Sequence, residues 1–418
     1  MSKIRPFKAV RPAADKAHLI AALPYDVMNS EEAREVVRGN ALSFLHVDKS
    51  EIDLPIGTDI YDESVYKKAK ENLYRLIEDG HLIQETKACL YLYQQVMDGR
   101  SQTGLVCCAS VEEYEKGLIK KHEKTLARKE EDRIKHVDTT NAQTGPIFLT
   151  FRTQKDIEDK MNHIIKHETP IYDFVAEDSV QHVAWLIDND PDIEFFVEKF
   201  SEVPALYIAD GHHRCASACR VGKQRKDANK SHTGNEEYNY FLSVIFPNSQ
   251  LEIMDYNRVL KDFNGLNKDE FIAKVQEKFT IEEHSSTEPY RPEKPTTFGM
   301  YPLCQTWFKL TAKPGTYPED DIVGSLDVSI LQNNLLTPIL GIGDPRTDKR
   351  IDFVGGIRGL EELEKRVRSG NEVLAFSMFP TSIEQLINIA DAGEIMPPKS
   401  TWFEPKLRSG LFIHLLSD

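Results

Sequence analysis

The densest group of chemically active side chains is the motif DGHHR, residues 210–214, which follows the apolar run LYIA. The apolar run predicts a buried strand, and the small residues after the motif predict a helix. A helix start exposes unpaired amides and a positive dipole end, and Gly211 lets a ligand approach the backbone. With His212, His213 and Arg214 beside it, we expect an anion site suited to phosphate. Asp210 could hold Mg²⁺ or orient an imidazole; the alternative is an aspartate N-cap beside incidental histidines.

A second candidate is the charged segment 117–136, GLIKKHEKTLARKEEDRIKH, which carries seven Lys or Arg and four acidic residues. Glu123 stands between His122 and Lys124 and could act as a general base, while Arg133 could clamp a phosphate. The alternative is a solvated charged helix, because most charge runs are solvated. A zinc site of the H-E-x-x-H type is excluded because position 126 is leucine.

A third candidate combines PYDV (24–27) with NALSFLHV (40–47). Asp26 is predicted in a turn after Pro24, before a helix that Asn29 or Ser30 could cap, and capping is the favoured interpretation. His46 is predicted within an alternating strand, where a structural histidine is more common than a ligand. Both Asp26 and His46 are therefore weak candidates for substrate binding.

The C-terminal segment 396–410, MPPKSTWFEPKLRSG, pairs cations with hydroxyl and aromatic side chains. Lys399, Lys406 and Arg408 could close over a phosphate or an amino-acid ligand. A proline-stiffened terminal segment docked on the core is an equally good interpretation. No Walker A, G-x-G-x-x-G or G-x-S-x-G motif occurs, so dinucleotide binding has little support.

The elements that would position these groups alternate between short apolar runs and amphipathic stretches, which predicts an α+β, mixed α/β fold. The Asp98-Gly99 pair between two β-rich runs predicts a hairpin. A strand pair is expected from residues 239–246 and 251–256. We expect three regions: 1–110, a phosphate-binding core at 111–260 with an insertion at about 137–204, and 261–418. Helices are predicted over residues 61–80, 156–167, 268–279, 329–340 and 382–392.

Composition limits the partners and the location. The 418 residues include 52 basic and 67 acidic side chains, a formal net charge of −15. This field opposes long polyanions and anionic membranes, so we expect neither nucleic-acid nor membrane binding, although a local basic pocket remains compatible with it. Six cysteines without a C-x-x-C pair predict neither a disulfide framework nor a zinc ribbon. Since no signal peptide or apolar span is evident, a cytoplasmic location is expected.

Five motifs occur in this order: PYDV, NALSFLHV, HEKT with DR (122–125 and 132–133), ADGHHR (209–214) and MPPKSTWFEPK (396–406). Together they resemble a large, mostly uncharacterised bacterial family related to the free serine kinases. The resemblance covers nearly the whole chain, and the set of motifs is specific although each one alone is not. It implies a core of the ParB/sulfiredoxin type with N-terminal and C-terminal α/β elaborations.

The resemblance also implies roles for particular residues. In the ParB/sulfiredoxin fold, a strand and a short glycine-containing motif ending in arginine begin a helix that grips nucleotide phosphates. Here that motif is the segment 210–214. The free serine kinases use an upstream glutamate as base toward the serine hydroxyl, and Glu123 is its match. We further expect His122, Thr125 and Arg133 beside the nucleotide, and Mg²⁺ between Asp210 and the phosphates.

Residues and resemblance together predict a kinase that transfers a phosphoryl group from ATP or ADP to a small hydroxylated metabolite, with free L-serine the leading acceptor. Glu123, Asp210, His212 and His213 would be its catalytic residues. The alternative is a nucleotide-binding regulator without turnover, which ParB-like folds also provide. A DNA-binding role is weaker, because the net charge opposes it and no basic recognition helix is evident.

Overall fold

The computed structural model describes residues 2–417, and the chain forms two compact units. The first unit comprises the residues up to Leu251 and those from Pro405 onward, and the second comprises Glu252–Glu404. The strands are β1 (Ile4–Arg5), β2 (Val10–Pro12), β3 (Leu82–Gln84), β4 (Leu90–Met97), β5 (Arg100–Ser110), β6 (Ile119–Lys120), β7 (Ala142–Gln143), β8 (Ile147–Phe151), β9 (Tyr172–Val175), β10 (Gln181–Ile187), β11 (Leu206–Asp210), β12 (Tyr240–Pro247), β13 (Ile253–Met254), β14 (Tyr256–Leu260), β15 (Phe279–Glu283), β16 (Thr297–Pro302), β17 (Phe308–Ala312), β18 (Ile351–Gly355), β19 (Leu374–Met378), β20 (Trp402–Phe403) and β21 (His414–Leu415).

The predicted amphipathic stretches are helical, and each of the five predicted helices has a counterpart in the structure. The helices are α1 (Ala17–Ile20), α2 (Ser30–Val36), α3 (Leu45–Asp48), α4 (Glu63–Glu78), α5 (Val111–Glu115), α6 (Ala127–Thr140), α7 (Lys155–His167), α8 (Asp190–Glu202), α9 (His212–Ala228), α10 (Lys268–Lys278), α11 (Asp327–Leu331), α12 (Glu361–Arg368) and α13 (Ile383–Asp391). The helix predicted over residues 329–340 is α11 continued by a π-helical turn, Gln332–Leu336.

The first unit is built on a mixed sheet in which eight strands follow the order β6-β11-β8-β12-β5-β4-β10-β9, and β1 pairs with β5. β6 runs parallel to β11 and β8 runs parallel to β12, whereas the other pairs are antiparallel. Every residue of β12 is buried, so both faces of the sheet centre are covered. The predicted mixed α/β class is confirmed.

The predicted hairpin at Asp98-Gly99 is also present and sets the register of the sheet centre. Met97 pairs with Arg100, and both turn residues have positive φ, +52° at Asp98 and +79° at Gly99. This is the backbone that a two-residue turn of type I′ requires. Beside the sheet, α2, α3 and α4 form a second apolar core in which Phe44 is fully buried.

The second unit contains a six-stranded antiparallel sheet in the order β15-β17-β16-β19-β14-β18, and β13 pairs with β20. α12 packs on this sheet, and its buried Leu363 and Val367 join Tyr301 and Trp307 in the core. Leu363 and Val367 are four residues apart on one helix face, and all four side chains are buried, so the unit has a hydrophobic centre of its own.

Two expectations differ from the structure. The strand pair around residue 248 is wrong, because β12 pairs with β5 and β8 while β14 pairs with β18 and β19 in the second unit. The strand around His46 is also wrong: His46 lies in α3, and a short apolar run does not distinguish a strand from a helix. The predicted region boundaries stay predictions; in the structure β4 and β5 lie at the centre of the first unit's sheet, and the chain enters the second unit after Leu251.

In the described part of the chain, no helix has the length and apolar character that a membrane span needs. All six cysteines are free thiols, and only Cys304 is exposed. Cys215 and Cys219 lie on α9 and are buried in the hydrophobic core of the first unit.

Candidate functional site

The site is organised by the junction between β11 and α9, where the predicted strand, glycine and helix follow one another. Gly211 is the N-cap of α9 and has φ +93° and ψ +31°, a conformation that favours glycine. It contributes no capping side chain, so the start of this 17-residue helix keeps the positive character of uncapped amides. The junction therefore has the backbone geometry of an anion site.

Arg214 lies directly over Gly211. A methyl group added at Gly211 would lie 3.1–3.3 Å from Nε, Nη2 and Cζ of the guanidinium. Nη1 of Arg214 donates a 2.5 Å hydrogen bond to the Pro146 carbonyl, which holds the guanidinium in place. The absence of a Cβ at position 211 is thus what lets a cation lie over the helix start.

Asp210 ends β11 and is already paired. The Gly211 amide donates to Oδ1 at 2.7 Å, and Nζ of Lys406 lies 3.2 Å from Oδ2. Although burial opposes ionisation, Lys406 and Arg214 hold the pKa of Asp210 well below its usual range. Both carboxylate oxygens already accept a hydrogen bond, so a Mg²⁺ ion at Asp210 would compete with Lys406 for Oδ2.

The loop after β6 brings a second group of side chains to the same place. β6 and β11 are parallel neighbours, so the residues that follow them emerge at the same edge of the sheet. Glu123 is half-buried there, and His122 and His212 are 2% and 6% exposed. One ligand atom from each of these three side chains lies within 4.8 Å of the other two.

The two histidine rings meet edge to face, with centroids 4.5 Å apart. Nε2 of His212 accepts a long hydrogen bond, 3.5 Å, from the His122 amide. Neither ring nitrogen of His122 has a hydrogen-bond partner of acceptable geometry among the described residues. Burial lowers the pKa of His122 to about 4, against the opposing effects of Asp210 and the Ile208 backbone. Burial also lowers the pKa of His212, and His122 adds to this effect, so both rings are neutral at neutral pH.

The next residues connect this loop to α6. Nε2 of His213 accepts a 3.0 Å hydrogen bond from the Leu126 amide, one residue before α6 begins. The Thr125 hydroxyl donates to Glu130 at 2.9 Å, and Glu130 also pairs with Arg220 at 3.1 Å. These contacts hold the HEKT loop against the first turns of α6 and α9.

A pocket of about 450 Å³, counting its opening to solvent, adjoins the helix start between α6 and α9. Its cations are Arg214 and Arg133, and the Arg133 guanidinium lies 3.9 Å from the ring centroid of Tyr25. Asp132 accepts a 2.8 Å hydrogen bond from Arg133 and one of 2.9 Å from the Tyr66 hydroxyl. Burial alone would lower the pKa of Arg133, but Asp132 and Tyr25 raise it above its usual value. Two guanidiniums therefore face one pocket, which suits a phosphate or a carboxylate.

Most of the predicted site residues meet at the start of α9. They are His122, Glu123, Asp210, Gly211, His212, His213, Arg214 and Lys406, with Thr125 in the adjoining loop and Arg133 in the pocket. Their roles stay predictions.

Three weak candidates lie elsewhere or face solvent. Asp26 is exposed, and Asn29 caps α2 with a capping box, as the capping interpretation predicts. Nδ1 of His46 donates a 2.8 Å hydrogen bond to Asp53, in a cluster apart from the residues above. Lys399 belongs to the second unit, where its ammonium lies 5.4 Å from the ring centroid of Tyr256.

Some pocket residues were not singled out by the sequence. Gly145 is one: a Cβ there would lie 2.8 Å from the Ser409 hydroxyl and 3.5 Å from Nη1 of Arg214. Tyr25 is part of PYDV, and Ser409 follows Arg408 in the C-terminal motif, so motif membership was the available signal. Ser217 lies one turn into α9 from Arg214, a spacing that places both on one helix face.

Comparison with known proteins gives one family match and several distant structural likenesses. The family model described as "Protein of unknown function (DUF1015)" matches residues 4–329. No curated protein matches the chain significantly. Similar solved structures include a conserved hypothetical protein from Pyrococcus furiosus, at 14% identity and a TM-score of 0.36, covering 75% of this chain and 95% of that chain. A free serine kinase in complex with AMP has 12% identity, a TM-score of 0.37 and coverage of 74% and 91%. C-terminally truncated SbnI from Staphylococcus aureus has 11% identity, a TM-score of 0.40 and coverage of 74% and 87%.

Proposed function

The chain belongs to the DUF1015 family of proteins of unknown function, and from its site we propose that it transfers a phosphoryl group from a nucleotide to a small hydroxylated metabolite. The observation that carries the proposal is the Arg214 guanidinium over the Gly211 start of α9, with Arg133 facing the same pocket. Helix starts and guanidiniums both favour phosphate, and here they converge on one place.

Binding would use the two guanidiniums and the helix start together. The terminal phosphates of ATP or ADP lie at the first turn of α9, with Arg214 on one side and Arg133 deeper in the pocket. Arg133 is 8% exposed and held by Tyr25 and Asp132, so little side-chain entropy is lost when it binds an anion. The protein is acidic overall, which opposes a polyanion, whereas a small anion in the pocket would contact Arg133 and Arg214 directly.

Phosphoryl transfer requires little covalent chemistry from the protein. The acceptor hydroxyl oxygen attacks the terminal phosphorus, the bond to the bridging oxygen breaks, and the shortened nucleotide leaves with that electron pair. The hydroxyl proton passes to the Glu123 carboxylate, which lies beside His122 and His212 at the helix start. Arg214 and His213 offset the charge on the transferred group. Since Asp210 is paired with Lys406, Mg²⁺ would arrive with the nucleotide, as part of that substrate.

The acceptor is proposed from the motif resemblance, which makes free L-serine the first compound to test. Purified protein would be incubated with Mg²⁺, L-serine and either ATP or ADP, and O-phosphoserine and the shortened nucleotide would be measured by mass spectrometry. Equal amounts of both products support the proposal. Nucleotide binding without either product, across a panel of hydroxylated metabolites, would instead identify a nucleotide-binding regulator.

Glu123→Gln tests whether the Glu123 carboxylate acts in turnover. We expect product formation to fall by at least about a hundredfold while nucleotide affinity is retained, because general-base catalysis contributes about 10²–10⁴-fold. Glu131→Gln removes the same charge from an exposed position of α6 and serves as the matched control. Full turnover in the Glu123 variant would refute its role.

A further inference from the structure

A cluster of three side chains beside the helix start has the composition of a metal site. We propose that His122, Glu123 and His212 bind a divalent first-row transition ion, of which Zn²⁺ is the test case. This goes beyond the proposed function, because it requires neither nucleotide nor acceptor. The ligand atoms come from two chain segments 90 residues apart, so the H-E-x-x-H pattern excluded by Leu126 is not involved.

Distances in the cluster suit such an ion. One ligand atom from each side chain lies within 4.8 Å of the others. Tetrahedral ligands about 2.0–2.1 Å from zinc lie roughly 3.3 Å apart, so the three groups need to approach by at most about 1.5 Å. The parallel pairing of β6 with β11 fixes the backbone on both sides of the cluster. The groups are therefore held near ligand geometry by the sheet itself.

His122 provides the second, independent observation. Its side chain is 2% exposed, and neither ring nitrogen has a hydrogen-bond partner of acceptable geometry among the described residues. A buried polar group left without a partner costs about 1–3 kcal/mol. An ion bound by one of these nitrogens would supply the missing interaction, and the same nitrogen lies within reach of Glu123 and His212.

The donor set selects the class of ion. Two imidazoles and one carboxylate favour Zn²⁺ and its transition-metal neighbours, whereas Mg²⁺ prefers an all-oxygen set. Three protein ligands leave at least one coordination position for a water or a substrate oxygen, as in catalytic zinc sites. With the ion bound, Glu123 is a ligand and not a base, so the Glu123→Gln turnover assay is run on protein freed of transition ions and supplied with Mg²⁺, in which the carboxylate can accept the proton.

The test measures metal directly, without nucleotide, so its failure is distinct from failure of the proposed function. Chelator-treated full-length protein would be titrated with Zn²⁺ and, separately, with Co²⁺, whose visible spectrum reports coordination geometry. We expect one ion per chain and an intense, tetrahedral type of Co²⁺ spectrum. X-ray absorption of the zinc-loaded wild type should show two imidazole ligands, a measurement that needs no variant to fold.

Variants locate the ion. His122→Ala and His212→Ala should each weaken Zn²⁺ binding at least about a hundredfold, because loss of an outer-shell partner alone costs about 10- to 100-fold and these residues would be direct ligands. His163→Ala/His167→Ala is the matched control, because these exposed rings on α7 lie 4.3 Å apart and are the obvious place for adventitious binding. Stoichiometric binding that is lost in this control and retained in His122→Ala would overturn the proposal. So would the absence of stoichiometric Zn²⁺ or Co²⁺ binding to the wild type.

Discussion

Replacing Gly211 by alanine tests whether the helix start and Arg214 form one anion site. The residue has φ +93°, and an L-amino acid in the left-handed region costs about 1–2 kcal/mol. The new Cβ would also lie 3.1–3.3 Å from three guanidinium atoms of Arg214, so the guanidinium must move. Two effects are therefore expected: a loss of stability from the backbone, and a loss of anion affinity from the displaced cation.

The size of the second effect follows from the interaction that is lost. A hydrogen bond to a charged group contributes about 1.5–3 kcal/mol, which corresponds to a Kd that is weaker by about 10- to 150-fold. Titration calorimetry with ADP and with pyrophosphate measures it, because both carry the phosphates and only one carries the nucleoside. A similar loss for both ligands is expected, since Arg214 would contact phosphate.

Gly117 provides the matched control. It also has positive φ, +72°, in the turn before β6, but nothing lies within 4 Å of an added Cβ. Gly117→Ala should therefore lose a similar amount of stability in a denaturant titration and keep wild-type affinity for ADP. If Gly211→Ala and Gly117→Ala bind ADP equally well, the assignment of phosphate to the Gly211–Arg214 junction is refuted.

Three further outcomes are expected. Tyr25→Leu should weaken ADP binding by about two- to fivefold in calorimetry, because the cation–π contact that orients Arg133 is worth about 0.5–1 kcal/mol. Tyr25→Phe keeps the ring and should keep the affinity, so equal affinities in the two variants would contradict this role. A double-mutant cycle of Asp210→Asn and Lys406→Met, measured by chemical denaturation, should give a coupling free energy of about 0.5–1 kcal/mol. The value is small because the Asp210 side chain is 34% exposed and solvent screens the ion pair; additive effects of the two substitutions would show that the pair contributes nothing. Burial raises the pKa of Asp327 to about 7, against the Thr296 amide, so its contribution to stability is complete below the unfolded value of 3.8 and is lost as the pH rises through about 7. Between about pH 5 and pH 8 the second unit should lose about 3 kcal/mol, seen as faster hydrogen exchange in β16 after correction for intrinsic rates, and an unchanged pH dependence in Asp327→Asn would refute this.

Much of the local structure could be predicted because it depends on neighbouring residues. The apolar run before Asp210 and the small residues after Arg214 specify a strand and a helix, and Gly211 permits the left-handed turn between them. The turn residues Asp98 and Gly99 specify the hairpin in the same way. The order of the motifs was enough to predict the family.

The candidate metal cluster could not be predicted in this way. It depends on the pairing of β6 with β11, two strands some 85 residues apart in the sequence. Other strands, including β8 and β10, lie between them in the chain. Nothing in the residues around Glu123 specifies that His212 will be its neighbour, because strand pairing is decided by the packing of the whole sheet. The same holds for the pocket, where Arg133 and Arg214 come from separate helices.

Lys399 and Lys406 show most clearly what the sequence determines and what only the tertiary structure decides. Both belong to one motif and looked equivalent as cations for a ligand. The chain passes from the second unit into the first between them, so Lys406 pairs with Asp210 while Lys399 lies over Tyr256. The sequence by itself determined the chemical groups, the local elements that carry them and the family. Only the tertiary structure decided which of those groups meet, because contacts between distant segments follow from burying apolar surface over the whole chain rather than from any local pattern.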